Sequence, residues 1–321
     1  MAVPAFTASV PDNGYRWWYL DAISDDDQHA ITVIVFIGSV FSPYYARARK
    51  RGVTRASDHC SVNVALYGSP WRWCMTERTE NSVLASPQRL SIGNSTISVE
   101  QDCLRVVVDE IAVPIPARVR GEIRIALPDY SLDCHPLDTQ SAANAKHFWQ
   151  PIAPQVPVEV AFTKPHLAWK GLAYVDSNYG SEPLESGFQS WVWSRTHATD
   201  SSTSVLYDVV DKQGNATQKS FHYNAEGDIS LTQAKHKRQL PNTRYWRIPR
   251  EARTAENAAI SGLQTLEDTP FYSRSRFRQT IGGQVQSTVH ESLYLNRFDS
   301  SWVRCLLPFR MPRNTRPIRP T

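Results

Sequence analysis

Ala117-Arg118-Val119-Arg120-Gly121-Glu122-Ile123-Arg124-Ile125-Ala126-Leu127 alternates residue by residue, with small or apolar side chains at the odd positions and Arg118, Arg120, Glu122 and Arg124 among the even ones. A period of two sends the two sets to opposite faces of an extended chain, one to a core and one to water. Residues 61–67 repeat the pattern through Val62, Val64 and Leu66. Residues 103–108, 167–175, 188–194, 204–210, 272–279 and 284–295 also read as strands. Between the strands stand turn formers such as Gly68-Ser69-Pro70, Gly93-Asn94, Gly214-Asn215 and Gly282-Gly283. Helical periodicity is confined to a single expected turn at residues 141–146. The pattern predicts an all-β chain of antiparallel barrels or sandwiches. The Pro-rich run Pro151-Ile152-Ala153-Pro154-Gln155-Val156-Pro157 is the expected break between two halves, residues 1–150 and 151–321. Two Y-x-D triplets, Tyr19-Leu20-Asp21 and Tyr174-Val175-Asp176, echo one another across that break.

With 321 residues, 41% hydrophobic and 21% charged, the chain can bury a sizeable core and is not disordered. A net charge of +4 and the lack of a nucleic-acid motif argue against a nucleic-acid partner. Cys60, Cys74, Cys103, Cys134 and Cys305 are odd in number and lack short pairing intervals, so neither a disulfide scaffold nor a zinc site is expected. Reduced thiols in the cytoplasm are the expectation. The first residues show neither the basic nor the apolar region of a signal peptide, and the apolar stretch at residues 31–41 is too short to span a bilayer. No Gly-rich phosphate loop, G-x-S-x-G elbow or H-E-x-x-H triplet occurs, which points to cofactor-free acid–base chemistry or to no chemistry.

The candidate site rests on two spacings. In His147-Phe148-Trp149 and Tyr174-Val175-Asp176, positions i and i+2 share a face of a strand. One apolar cavity would then hold a carboxyl, an imidazole and two large π systems. That set suits a reaction that starts with proton transfer and passes through a carbocation. The plainer reading is that the aromatics are core and that Asp176-Ser177-Asn178-Tyr179-Gly180 is a turn capped by Asp176.

Several blocks in order make the chain similar to the carotenoid 1,2-hydratases, or hydroxyneurosporene synthases, of purple photosynthetic bacteria. They include Gly14-Tyr15-Arg16-Trp17-Trp18-Tyr19-Leu20-Asp21-Ala22, His147-Phe148-Trp149-Gln150-Pro151, Tyr174-Val175-Asp176-Ser177-Asn178-Tyr179-Gly180, Trp191-Val192-Trp193-Ser194-Arg195 and Leu306-Leu307-Pro308-Phe309-Arg310-Met311-Pro312-Arg313. The resemblance implies two lipocalin-like β-barrel halves. It implies addition of water to the terminal double bond of an acyclic carotene such as neurosporene or lycopene, without a cofactor or metal. It ties catalysis to His147, Trp149, Tyr174 and Asp176, with Asp176 as the acid. His147 either tunes Asp176 or handles the attacking water, and Glu185 is a candidate partner for it. Trp17, Trp18, Tyr19, Asp21, Trp191 and Trp193 are candidate substrate-lining residues, with core packing the alternative for most. The rival reading is a lipocalin-like isoprenoid carrier without catalysis.

Because carotenes reside in bilayers, contact with the inner, photosynthetic membrane is expected. Residues 36–51 and 306–319 mix apolar side chains with Arg47, Arg49, Lys50 and Arg51, and with Arg310, Arg313, Arg316 and Arg319. A solvated basic face is the alternative for both segments.

Overall fold

The computed structural model describes residues 4–138, 144–232, 236–281 and 283–316. The chain forms two compact units. The first takes the chain up to Pro136, Lys146–Pro183 and the segment from Cys305 on, and the second centres on Leu184–Arg304. The expected helical turn at residues 141–146 and the Gly282-Gly283 turn fall partly outside the described residues.

Twelve strands build the first unit: β1 (Tyr15–Ser24), β2 (Ala30–Ile37), β3 (Cys60–Tyr67), β4 (Arg72–Arg78), β5 (Val83–Ser86), β6 (Arg89–Ile92), β7 (Ser95–Glu100), β8 (Cys103–Ile111), β9 (Arg118–Ala126), β10 (His135–Pro136), β11 (His147–Lys164) and β12 (His166–Gly180). Their order across the sheet is β4-β3-β2-β1-β12-β11-β9-β8-β7-β6-β5, with β10 on β11 and a short C-terminal strand, Arg313–Asn314, parallel to β4. The sheet curls until β4 meets β8, where Arg78 Nη2 lies 2.7 Å from Glu110 Oε2. In β9, Val119, Ile123 and Ile125 are fully buried while Arg118, Arg120 and Arg124 are exposed, as the alternation predicts. The buried set joins Leu104, Val106, Val158, Val160 and Phe162 in one core.

All ten residues of β1 are buried, so both of its faces are covered. Trp18, Leu20 and Ala22 point into the apolar core with Val33, Val35 and Val175. Tyr15, Trp17, Tyr19 and Asp21, which alternate with them, therefore occupy the other face.

The boundary between units falls at Pro183 and Leu184, not at residues 150 and 151. The Pro-rich run lies inside β11. Its prolines are tolerated because β9 pairs only with the later part of β11, from Val158 on, and because register shifts interrupt the ladder between Pro151 and Ala153 and between Ala153 and Val156. Both Y-x-D triplets consequently sit in the first unit, so their echo does not mark two halves.

The second unit contains β13 (Phe188–His197), β14 (Thr203–Asp211), β15 (Ala216–Tyr223), β16 (Ile229–Leu231), β17 (His236–Leu240), β18 (Arg250–Thr254), β19 (Ala259–Asp268), β20 (Tyr272–Ile281) and β21 (Gln284–Tyr294). The sheet order is β16-β15-β14-β13-β21-β20-β19, with β17 and β18 as a separate antiparallel pair. Among the described residues no helix is long and apolar enough to cross a membrane.

On β21, His290 and Glu291 take opposite faces. His290 is buried with Nε2 3.0 Å from the Glu251 carbonyl, and Glu291 pairs with Arg274. Burial pulls the His290 imidazole down to about 4. The folded protein holds it neutral while the unfolded chain takes up a proton, so its contribution is complete above the ordinary histidine range and is lost as pH falls from about 6.5 towards 4. The linked effect is about 3 kcal/mol. Urea unfolding at pH 7 and pH 4 should show this loss in the wild type and a markedly smaller one in His290→Gln. An equal acid loss in both proteins would contradict the assignment.

Candidate active site

β12 lies between β1 and β11, and the ladder register brings three sets of side chains to one face. Gly180 stands opposite Tyr15 on β1 and His147 on β11, Asn178 opposite Trp17 and Trp149, and Asp176 opposite Tyr19 and Pro151. Tyr174 stands opposite Asp21. Residues directly opposite in antiparallel strands point to the same side, as do positions two apart. This face lies across the sheet from the apolar core, yet Tyr15, Tyr19, Asp21, His147, Trp149, Tyr174 and Asp176 are all buried.

Three of the four expected catalytic residues meet at one carboxylate oxygen. Trp149 Nε1 donates to Asp176 Oδ2 at 2.8 Å, and the Tyr174 hydroxyl donates to the same oxygen at 2.7 Å. Trp149 Nε1 also lies 3.2 Å from the Tyr174 hydroxyl. An indole N–H only donates, so Oδ2 acts as an acceptor and the proton of a neutral Asp176 belongs on Oδ1. The polar edges of both aromatic side chains thus bind the acid itself. The turn reading of residues 176–180 does not hold, because β12 runs through to Gly180.

His147 has two further partners. Its Nδ1 lies 2.8 Å from the Tyr15 hydroxyl, and its Nε2 is 3.5 Å from Glu182 Oε1. Glu182 also accepts from Lys146 Nζ at 2.6 Å. Its contact with His147, aided by Lys146, holds the Glu182 carboxyl below the usual range against the opposing effect of burial. The carboxylate beside His147 is thus Glu182. Glu185 belongs to the second unit and lies 3.6 Å from Arg304.

Gly180 is what allows Tyr15 and His147 to meet across the strand between them. A Cβ at position 180 would lie 2.7 Å from Tyr15 Cε1 and 2.9 Å from His147 Nδ1. Both distances are well inside van der Waals contact.

The expected lining residues divide. Trp17 stacks on Tyr15 with ring centroids 4.9 Å apart, and Tyr19 meets Tyr174 edge-on at 6.1 Å. Trp18 points the other way, into the apolar core, and packs on Phe6 at 5.3 Å. Alternation along β1 forbids Trp18 the face of its neighbours. Trp191 and Trp193 lie on β13 of the second unit, where Trp191 packs between Phe188 and Tyr207. Asp21, one of the residues expected to line the cavity, does share this face, and Tyr15, Gly180 and Glu182 join the site without having been singled out for it from the sequence. The signal for Tyr15 was its i, i+2 spacing from Trp17, Tyr19 and Asp21.

A family model described as carotenoid hydratase CrtC matches residues 33–318. The chain is 45% identical to the acyclic carotenoid 1,2-hydratase of Thiocapsa roseopersicina, over 97% of this chain and 76% of that protein. It is 42% identical to the enzyme of that name from Rubrivivax gelatinosus, again over 97% of this chain and 76% of the relative. Among solved structures, kievitone hydratase of Nectria haematococca superposes with a TM-score of 0.54 at 10% identity, covering 93% of this chain and 95% of that one. At that identity the likeness is one of fold, a curled, lipocalin-like antiparallel sheet.

Gly180→Ala should separate Tyr15 from His147 by more than hydrogen-bond distance and cost about 1–3 kcal/mol of stability, the usual penalty for overpacking. A crystal structure and a thermal melt of the variant check both. An intact Tyr15–His147 contact in the alanine variant would overturn the role given to Gly180.

Proposed function

The chain belongs to the carotenoid hydratase CrtC family, and on that premise we propose that it hydrates the terminal 1,2 double bond of acyclic carotenes such as neurosporene and lycopene, giving a tertiary alcohol. The observation that carries the mechanism is the buried Asp176 carboxyl with two donors on one oxygen. Asp176 passes the proton on Oδ1 to the less substituted alkene carbon. Charge then falls on the tertiary carbon, the better cation. The alkene is a weak base, so the carboxylate left behind must be stabilised as it forms. Trp149 Nε1 and the Tyr174 hydroxyl are already aimed at it and need no reorganisation.

Burial of the face keeps bulk water from quenching the cation, and the aromatic rings of Trp17, Tyr19 and Tyr174 offer π faces to it. Such contacts are worth about 2 kcal/mol when desolvated. His147 links Tyr15 and Glu182, and this Tyr15–His147–Glu182 chain, in preference to tuning Asp176, orients the attacking water. The product forms when water adds to the tertiary carbon and loses a proton. The substrate is a bilayer solute, so we also propose that the enzyme works at a membrane surface.

Incubation with lycopene in detergent separates this reading from a non-catalytic carrier. A product heavier by one water supports hydration, and unchanged lycopene recovered with bound protein supports a carrier. Asp176→Asn should lower turnover by about two to four orders of magnitude with folding intact, since an amide occupies the same space. Tyr174→Phe and Trp149→Phe each remove one donor to the carboxylate and should each cost about tenfold or more. A folded Asp176→Asn enzyme with near-normal turnover would contradict the mechanism.

A further inference from the structure

We propose that Asp21 is a second catalytic carboxyl, the group that takes the proton from the attacking water; this rests on the hydratase reading above. Asp21 is 2% exposed, and its Oδ2 accepts a hydrogen bond from the Tyr19 hydroxyl at 2.8 Å. That arrangement repeats the one at Asp176, where the Tyr174 hydroxyl donates to Oδ2 at 2.7 Å. The two Tyr-x-Asp triplets run antiparallel on adjacent strands, with Tyr19 opposite Asp176 and Asp21 opposite Tyr174. All four side chains share the face that carries His147 and Trp149. The two aspartates are diagonal neighbours on adjacent strands, a spacing of about 7–8 Å between their backbone positions.

The chemistry needs such a group. Asp176 gives its proton to carbon, and the oxygen lone pair of water forms the new bond to the tertiary cation. The resulting oxonium must then lose a proton. Both nitrogens of His147 already face partners, Tyr15 and Glu182, so that proton needs another acceptor. Among the described residues, Asp21 is the other buried aspartate on the face. The reaction gives the two carboxyls separate roles, Asp176 as the donor and Asp21 as the acceptor. The proton gained by Asp21 returns to Asp176 before the next turnover, which closes the balance: one alkene and one water give one alcohol.

Turnover of lycopene in D2O tests this. The wild type should hydrate, and Asp176→Asn should neither hydrate nor place deuterium in recovered lycopene. Asp21→Asn should hydrate at least about a hundredfold more slowly. Its cation still forms and collapses by losing a proton, so its recovered lycopene should gain carbon-bound deuterium. A folded Asp21→Asn enzyme within a few-fold of the wild-type rate would overturn the proposal, as would one that loses hydration and exchange together. If Asp21→Asn does not fold, Tyr19→Phe removes only the hydroxyl that holds Asp21. Slowed hydration with retained exchange supports the proposal, and unchanged hydration overturns it. A wild type that neither hydrates nor exchanges would instead defeat the hydratase reading.

A second, independent inference concerns a pocket in the first unit. A cavity of about 440 Å³ is lined by Tyr44, Arg47, Arg51, Asp58, His59 and Arg313 among others. It joins the two basic segments singled out in the sequence, although Arg319 lies outside the described residues. Arg47 sits on the short helix α1 (Pro43–Arg49), which Ser42 caps by accepting from the Tyr44 and Tyr45 amides. Arg313 Nη1 lies 2.6 Å from the fully buried Glu77, which also holds His59 at 3.0 Å. Asp58 is 3.1 Å from Arg55. Those charges are matched, whereas Arg47 and Arg51 have no acidic partner among the described residues. The pocket therefore carries two uncompensated guanidinium groups. Val53, 76% exposed, lies between Arg51 and Thr54 on its lining.

The geometry points to a phosphate-bearing ligand, the headgroup of an anionic phospholipid, with Val53 reaching towards the acyl boundary. Flotation with phosphatidylglycerol vesicles should succeed, fall with salt and fail with phosphatidylcholine. The double variant Arg47→Glu/Arg51→Glu should lose flotation at least tenfold while hydrating carotene in detergent within about twofold of the wild type. Flotation unchanged in the double variant would overturn the assignment. So would calorimetric binding of inorganic phosphate without any flotation, which would give the pocket to a free anion.

Discussion

A carboxyl taken out of water has to be satisfied by the protein, and here the structure commits parts of two strands to one such group. Asp176 Oδ2 accepts from Trp149 on β11 and from Tyr174 on its own strand β12. Leaving a buried polar group without partners costs about 1–3 kcal/mol, so the β11–β12 register is fixed by polar contacts as well as by the apolar core behind it. A slip of one residue would send Trp149 to the far side of the sheet and leave the carboxyl stranded. The same constraint explains why β1 is covered on both faces. Its Trp18, Leu20 and Ala22 close the core, while its Tyr15, Trp17, Tyr19 and Asp21 complete the polar face.

That face is organised by cross-strand neighbours. At one end Gly180 leaves the gap through which Tyr15 reaches His147. In the middle Trp17 and Trp149 stand on either side of Asn178. At the other end the two Tyr–Asp pairs meet head to tail. Aromatic surface supplies a site that is apolar towards a polyene and polar only at a few fixed oxygens and nitrogens, which is what a reaction through a carbocation requires.

Much of this was legible in the sequence, and the limits have physical causes. Alternation reads half-buried strands well, so residues 117–127, 188–194 and 272–279 match β9, β13 and β20 closely. β1 and β2 carry large apolar or aromatic side chains on both faces, which blurs alternation, and they do not read as strands from the sequence. Proline normally argues against a strand interior, so Pro151, Pro154 and Pro157 suggested a boundary. Bulges and the absence of β9 on that stretch accommodate them instead. The i, i+2 spacings placed His147, Trp149, Tyr174 and Asp176 on the right faces, because that rule is local. Pairing between strands is not local, which is why Tyr15 and Gly180 emerged only with the register.

The account depends most on Asp176 holding a proton before substrate reacts. Infrared difference spectroscopy between the wild type and Asp176→Asn at neutral pH reads this directly. The account predicts loss of one protonated-carboxyl C=O band, shifted to lower frequency in D2O, with the carboxylate bands unchanged. Loss of carboxylate bands alone would mean that Asp176 rests ionised, and would contradict its role as the acid.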